Sequence, residues 1–318
     1  MSALEVILRA AAVLAAFLSL PLLVGQTEHK VMAHMQGRLG PMYAGGYHGW
    51  AQLIADGVKF VQKEDITPAR ADRGVFRLAP AVALIPYLVA LAAVPIGPDV
   101  VGADVDASLL LVLAATGVGV IGTLMGGWAS ANKYSLLGGM RAAAQLVSYE
   151  LPLVLAAVSV ALAAGTLSLA GIVEAWSPWW LLWQLPGAVV FFISAVAELQ
   201  RGPFDMPIAD TEIVFGAFTE YSGLRFAFFL LSEYAGIVVF SLLFAVLYLG
   251  GWSGPFEGSL GWLWTLLKGY LVAVVVLWLR ISWPRLREDQ LQRLAWVWLV
   301  PLALLQLAIT AAGVVMTQ

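Results

Sequence analysis

Between Ala197 and Tyr234 the chain reads AELQRGPFDMPIADTEIVFGAFTEYSGLRFAFFLLSEY, which sets Glu198, Asp205, Asp210, Glu212, Glu220 and Glu233 among apolar residues. These are six of the 20 acidic residues in the whole chain, and long apolar segments flank them. A carboxylate near a bilayer is costly unless it is paired, hydrated or protonated. Packed acids repel one another, and loss of water raises carboxyl pKa values, so some members of such a cluster can exchange protons near neutral pH. Proton handling is the chemistry this stretch points to. Arg201, between Glu198 and Asp205, offers charge compensation that favours ionised carboxylates. Pro203 and Pro207 stop a helix and force an ordered turn. A loop of solvated charges would account for Asp205 or Asp210 alone. It accounts poorly for six acids interleaved with Phe204, Met206, Ile208, Ile213, Val214 and Phe215, which suit a buried or re-entrant wall.

Glu150 is a further acid inside an apolar run, nine residues after Arg141. At the rise of an α-helix that is ~13 Å along the axis. An acid at such a depth is a functional candidate, the bland alternative being a hydrogen bond to a neighbouring helix. Glu233, followed by Tyr234, has the same status.

The elements that must position these groups are membrane helices. The chain is 61% hydrophobic and only 12% charged, with a mean hydropathy of +0.87. A soluble domain would carry about 25% charged residues, so composition indicates an all-α, polytopic membrane protein. The net charge of -3 includes no basic face suited to nucleic acid. There is no cysteine, hence no thiolate for an iron–sulfur cluster, a redox pair or a disulfide. His29, His34 and His48 all fall in one predicted loop, which argues against axial haem ligation across a bundle, and no metal site is expected. Electrons for any redox chemistry must come from elsewhere. The N-terminal apolar run lacks a positive leading region and a small-x-small cleavage site before Glu28, and it reads as a retained helix.

Eight stretches are apolar and long enough to span: about 4–24, 77–97, 108–129, 144–165, 179–198, 227–250, 262–281 and 294–316. No soluble domain, linker or repeat separates them, so residues 1–318 read as one integral membrane domain. Of 17 Lys and Arg, all but Arg9 and Lys268 fall in or beside the odd-numbered loops, whereas Asp99, Asp104, Asp106, Glu174 and Glu257 occupy the even ones. The positive-inside rule places the odd loops in the cytoplasm and both termini outside. In the first loop, taken as Gln26–Phe76, residues Gly49–Gln62 carry Trp50, Leu53, Ile54, Val58 and Val61 at near-helical spacing, with Gln52, Asp56 and Lys59 opposite. This is an amphipathic helix lying on the membrane surface, and equally one wall of an opening for a lipid-soluble substrate. The glycine-rich run Gly126–Gly139 is expected as a tight inter-helix turn. It lacks the spacing of a phosphate loop. The basic cluster Arg280–Leu291 either sets topology or meets lipid head groups or an acidic partner surface.

Four strings in order resemble the family of the membrane H subunit of proton-translocating NADH:quinone oxidoreductase (respiratory complex I), the bacterial counterpart of mitochondrial subunit one. They are Glu28-His29-Lys30 with Arg38-Leu39-Gly40-Pro41 and Ala55-Asp56 through Glu64; GGWASANKYSLLGGMRAAAQLVSYE from Gly126 to Glu150; Ala197–Gly223; and Pro284–Leu291. The resemblance implies that the chain walls the membrane side of a quinone chamber and docks a hydrophilic arm. It implies Arg38, Asp56, Lys59, Glu64, Arg201 and Phe204 at the quinone (ubiquinone or menaquinone). It also implies Glu150, Glu198, Asp205, Asp210, Glu212, Glu220 and Glu233 on a proton path. FMN and iron–sulfur clusters then belong to partner subunits, antiporter-like membrane subunits are neighbours, and the setting is a bacterial cell membrane. Some positions depart from the family pattern: Leu199 and Gln200 replace a Thr and an Asn, Ile208 replaces an acid, Met42 an Asn and Glu288 a Tyr. The loss at Ile208 bears on the proton route and suggests a divergent branch. Two other readings are the equivalent subunit of a membrane-bound hydrogenase or of an F420H2 or ferredoxin oxidoreductase, and a stand-alone secondary transporter. The acid-rich loop and the rich quinone loop speak against the first, and the lack of an inverted repeat or of broken helices at the midplane against the second.

Overall fold

The computed structural model describes residues 3–98 and 100–317, without the side chains of Ala3, Asp210 and Thr317. Asp99 therefore lies outside the described residues. The regular structure of the described residues is all helix: α1 (Ala3–Met35), α2 (Gln52–Gln62), α3 (Arg73–Ala93), α4 (Ser108–Ala129), α5 (Lys133–Ala164), α6 (Leu169–Ala175), α7 (Trp180–Trp183), α8 (Leu185–Glu198), α9 (Asp210–Ile213), α10 (Gly223–Tyr248), α11 (Glu257–Ser282), α12 (Glu288–Arg293) and α13 (Val300–Thr317). Among the described residues, seven helices are long and apolar enough to cross a membrane, and α8 is a shorter apolar helix. This is an all-α, multi-pass membrane bundle.

Three sequence expectations change. The fifth predicted span, 179–198, breaks at Gln184 into α7 and α8, because Gln184 leaves helical geometry and Pro186 starts a new helix. The first helix continues to Met35, so the first loop begins ten residues later than Gln26 and Glu28 is a helical residue. Helix α5 begins at Lys133, where the Asn132 side chain accepts from the Tyr134 N–H at 2.9 Å. Most of Gly126–Gly139 is thus helix rather than turn, and only Ser130–Asn132 connect α4 to α5.

Local signals explain the other termini. Asp72 caps α3 by accepting from Gly74 N–H at 3.1 Å and Val75 N–H at 3.4 Å. Gly165, at φ 71°, closes α5. Helix α10 is the central rod, burying Val239, Leu243, Val246 and Leu247 completely. Helices α3 and α4 approach so closely that a Cβ on Gly122 would lie 2.4 Å from the Ala83 amide nitrogen, the small-residue contact common between membrane helices.

Lys268 of α11 has a structural task. Its Nζ donates to the carbonyls of Leu249 (2.7 Å), Gly251 (2.9 Å) and Ser253 (2.8 Å), just beyond the C-terminus of α10. A cation there satisfies carbonyls the helix leaves open and complements its dipole. Lys268→Met is expected to lower stability by about 1–3 kcal/mol, read as a lower Tm of the detergent-solubilised protein.

Candidate functional site

One end of the bundle gathers the charged groups, and the break after α8 brings them together. Residues 199–209 leave α8 as a folded segment rather than a free loop. Gln145 of α5 anchors it by donating to the carbonyls of Ala197 (2.5 Å) and Phe204 (2.9 Å). Phe204 is buried against Tyr149, ring centroids 5.7 Å apart. This fold-back carries Arg201 into the interior at 3% exposure.

Arg201 is the hub. Its Nη1 donates to Glu28 Oε2 at 2.5 Å, and its Nε lies 2.5 Å from Glu233 Oε1, an ion pair without hydrogen-bond alignment. The guanidinium also stacks over the Tyr234 ring at 4.6 Å. Arg280 of α11 pairs with the other Glu28 oxygen. Thus α1, α10, α11 and the 199–209 segment meet at two guanidinium groups and two carboxylates. The charge compensation expected for Arg201 from its sequence neighbours runs in space to Glu28 and Glu233.

Glu198 is different. Both carboxyl oxygens are buried and neither has a hydrogen-bond partner among the described residues. It borders a cavity of about 40 Å³ that also touches Tyr87, Gln200, Ile208, Ser232 and Glu233. A space that size has room for water, which needs roughly 10–15 Å³. Glu150 lies near enough for its charge to act on Glu198. Gly117 makes room for it, since a Cβ there would stand 2.8 Å from Glu150 Oε1. Glu233, Glu198 and Glu150 therefore form a succession of carboxyls, the first pair joined by a wettable cavity.

The remaining acids occupy the rim. Glu212 accepts from Arg141 Nη1 at 2.7 Å and faces Arg285 at 3.5 Å, and Arg141 also lies 3.7 Å from Glu288. The hydrogen bond from Arg141 leads the causes that hold the Glu212 carboxyl below the usual carboxylate range. A lowered folded-state value means stabilisation that is complete above the ordinary carboxyl pKa of about 4.3 and fades as pH falls below it. Protease cleavage within 207–215 is expected to be flat from pH 8 to about pH 5 and to rise only below the ordinary carboxyl range. In Arg141→Ala that acid-side rise should flatten. Glu220 accepts from Asn132 at 2.6 Å, Asp205 is half-buried, and the Asp210 side chain lies outside the described residues.

The residues expected at a quinone divide into two groups. Arg201 and Phe204 are buried in the fold-back. Asp56 lies on α2, bound to Gln52 (2.9 Å) and Lys59 (3.2 Å), while Arg38 and Glu64 are exposed on the segments either side of it. Helix α2 rests on α10, with Phe60 against Phe226 at 5.8 Å, and turns Ile54, Val58 and Val61 outward. Sequence reasoning missed the site roles of Glu28, Arg280 and Tyr87. For Glu28 there was a signal: an acid one helical turn beyond Val24 continues the apolar helix if polar Gln26 and Thr27 are allowed to be helical.

Fold and site together define a polytopic helical membrane protein with a buried cluster of carboxyls at one end, of which Glu198 has no hydrogen-bond partner among the described residues. The chain belongs to the NADH dehydrogenase family, whose model matches residues 8–311. It is similar to the H subunit of NADH-quinone oxidoreductase from Bacillus mycoides (strain KBAB4), 48% identical over 287 residues covering 89% of this chain and 86% of the relative. It is also similar to the corresponding H subunit from Geobacillus thermodenitrificans (strain NG80-2), 46% identical over 289 residues with the same coverage of 89% and 86%.

Proposed function

We propose that this chain is the H subunit of a proton-pumping NADH:quinone oxidoreductase, where it forms the membrane wall of the quinone chamber and couples quinone reduction to proton movement. The family and the names of its relatives support the complex. The observation that carries the coupling role is Glu198: a buried carboxyl with no donor, set between the cavity shared with Glu233 and the charge of Glu150. A carboxyl in such a place serves no packing purpose that an apolar residue would not serve better. It is suited to gain and lose a proton when charge changes nearby.

The electrons come from partner subunits carrying FMN and iron–sulfur clusters, since this chain has no cysteine. The quinone approaches along α1 and the outward apolar face of α2, with Arg38, Asp56, Lys59 and Glu64 on its route. Reduction changes the charge beside the Arg201 hub, and Glu233, Glu198 and Glu150 pass the change toward antiporter-like membrane subunits. The end bearing the cluster faces the cytoplasm of a bacterial cell, as the distribution of Lys and Arg implies.

The test is Glu198→Gln in the assembled complex in proteoliposomes. Glutamine keeps the shape and cannot release a proton. NADH-dependent proton uptake is expected to fall about tenfold, the factor that 1.4 kcal/mol represents, while NADH oxidation by ferricyanide, which bypasses the quinone, stays unchanged. Full proton uptake at wild-type stoichiometry would remove Glu198 from the path.

A further inference from the structure

At the end of the bundle opposite the carboxyl cluster, Arg9 stands apart. It is one of two Lys or Arg residues outside the loops at the cluster end, and the other, Lys268, is spent on three backbone carbonyls. Arg9 has no comparable duty. Among the described residues its guanidinium makes one long hydrogen bond, 3.4 Å to the Val101 carbonyl, whereas an arginine carries five N–H donors.

The group borders a groove of about 170 Å³ between α1, the C-terminal end of α3 and residues 96 and 100–102. Ala12, Val13, Ala16, Leu91, Val94 and Val100 line it, and among the described residues Arg9 is its one charged member. The depth fits a lipid. Along α1, Arg9 lies ~28 Å from Glu28 at 1.5 Å per residue, close to the ~30 Å thickness of bilayer hydrocarbon. Glu28 with its arginines marks one boundary, so Arg9 falls at headgroup level on the other.

We propose that Arg9 and this groove hold one anionic phospholipid, its phosphate on the guanidinium and one acyl chain along the apolar wall. The planar fork of arginine matches a phosphate diester. The small side chains Ala12 and Ala16 leave room beside the helix for a chain. This lipid is independent of the proton relay, which lies at the other end of the molecule.

The intact complex, delipidated in detergent and titrated with dioleoyl phosphatidylglycerol, tests the site by native mass spectrometry. Wild type is expected to retain one more phosphatidylglycerol per complex than Arg9→Gln. Binding to that site should be about tenfold weaker in the variant, the order expected for one charge-assisted contact. Ala12→Phe, which keeps the cation and fills the groove, should lose the same lipid. This second variant also decides the matter if Arg9→Gln fails to assemble. Dioleoyl phosphatidylcholine and inorganic phosphate should not occupy the site. Equal lipid retention in wild type and both variants overturns the proposal, as does equal binding of phosphatidylcholine or of phosphate alone. NADH:quinone activity in lipid-replete membranes is expected to stay at the wild-type level in both variants.

Discussion

Arg201→Met is expected to destabilise the protein by about 3–5 kcal/mol, the cost typical of removing one partner from a buried ion pair. Arg201 is shared by Glu28 and Glu233, so the substitution strips two carboxylates of one cation. Glu28 is 2% exposed and keeps Arg280 as its one cation among the described residues; the Glu233 side chain, at 18% exposure, loses its ion pair. The effect should appear as loss of assembled complex in membranes and a lower Tm of what remains. Arg201→Lys should recover little of it. A lysine ammonium is a point charge that cannot span two carboxylates or stack on Tyr234 as the guanidinium does.

A combined variant separates stability from function. Glu28→Gln, Arg201→Met and Glu233→Gln together remove both carboxylates and the buried cation and leave Arg280, whose side chain is 35% exposed and open to hydration, and neutralising a buried ion network is often neutral or stabilising. The triple variant is thus expected to be more stable than Arg201→Met alone and still deficient in quinone-linked proton transfer. If it were instead no more stable than the single variant, the network would not be an electrostatic unit.

The membrane helices and the partition of charge between the two ends were legible from composition, because hydropathy acts over windows of about twenty residues. The acidic stretch from Ala197 to Tyr234 was legible too, since each acid contrasts with its apolar neighbours. The pairing was not. Arg201 finds Glu28 across 173 positions, and sequence adjacency suggested Glu198 and Asp205 instead. Spacing carries no information about which helix lies alongside. The break at Gln184 was hidden because apolar residues continue through it, and only Pro186 hinted at a restart. At Glu28, the polar Gln26 and Thr27 argued for a loop. In space the Thr27 hydroxyl bonds the Leu23 carbonyl at 2.8 Å within α1 and the Tyr270 hydroxyl of α11 at 3.0 Å, and the Gln26 amide donates to the Gly49 carbonyl at 3.1 Å, so the helix accommodates both polar residues. Ile208, notable in sequence for a missing acid, lines the same cavity as Glu198 and Glu233. The departure therefore leaves that wall of the cavity apolar at this position.

Gly216→Ala is expected to cost about 3–4 kcal/mol, combining overpacking with a left-handed backbone. Gly216 has φ +50°, and a Cβ added there would lie 1.7 Å from the Pro207 carbonyl oxygen. That oxygen accepts the Ala217 N–H at 3.2 Å, so a methyl group would break the bond closing the loop on itself. Gly138 of α5 meets the same point, because its Cβ would stand 2.3 Å from the Ala217 nitrogen. Backbone must yield in both cases, and no side chain can swing away to relieve the contact. The loop holds Ile208 against the Glu198 cavity and Glu212 against Arg141. Its displacement should open the cavity to solvent and expose 207–217 to protease even where the bundle remains folded. Gly57→Ala supplies the opposite sign. Gly57 sits inside α2 with nothing near its would-be Cβ, so alanine should stabilise by up to about 1 kcal/mol through helix propensity. If Gly216→Ala left both Tm and loop cleavage unchanged, the close seat of the 207–217 segment on α5 would be wrong. The buried setting of Glu198, which depends on that seat, would then need another wall.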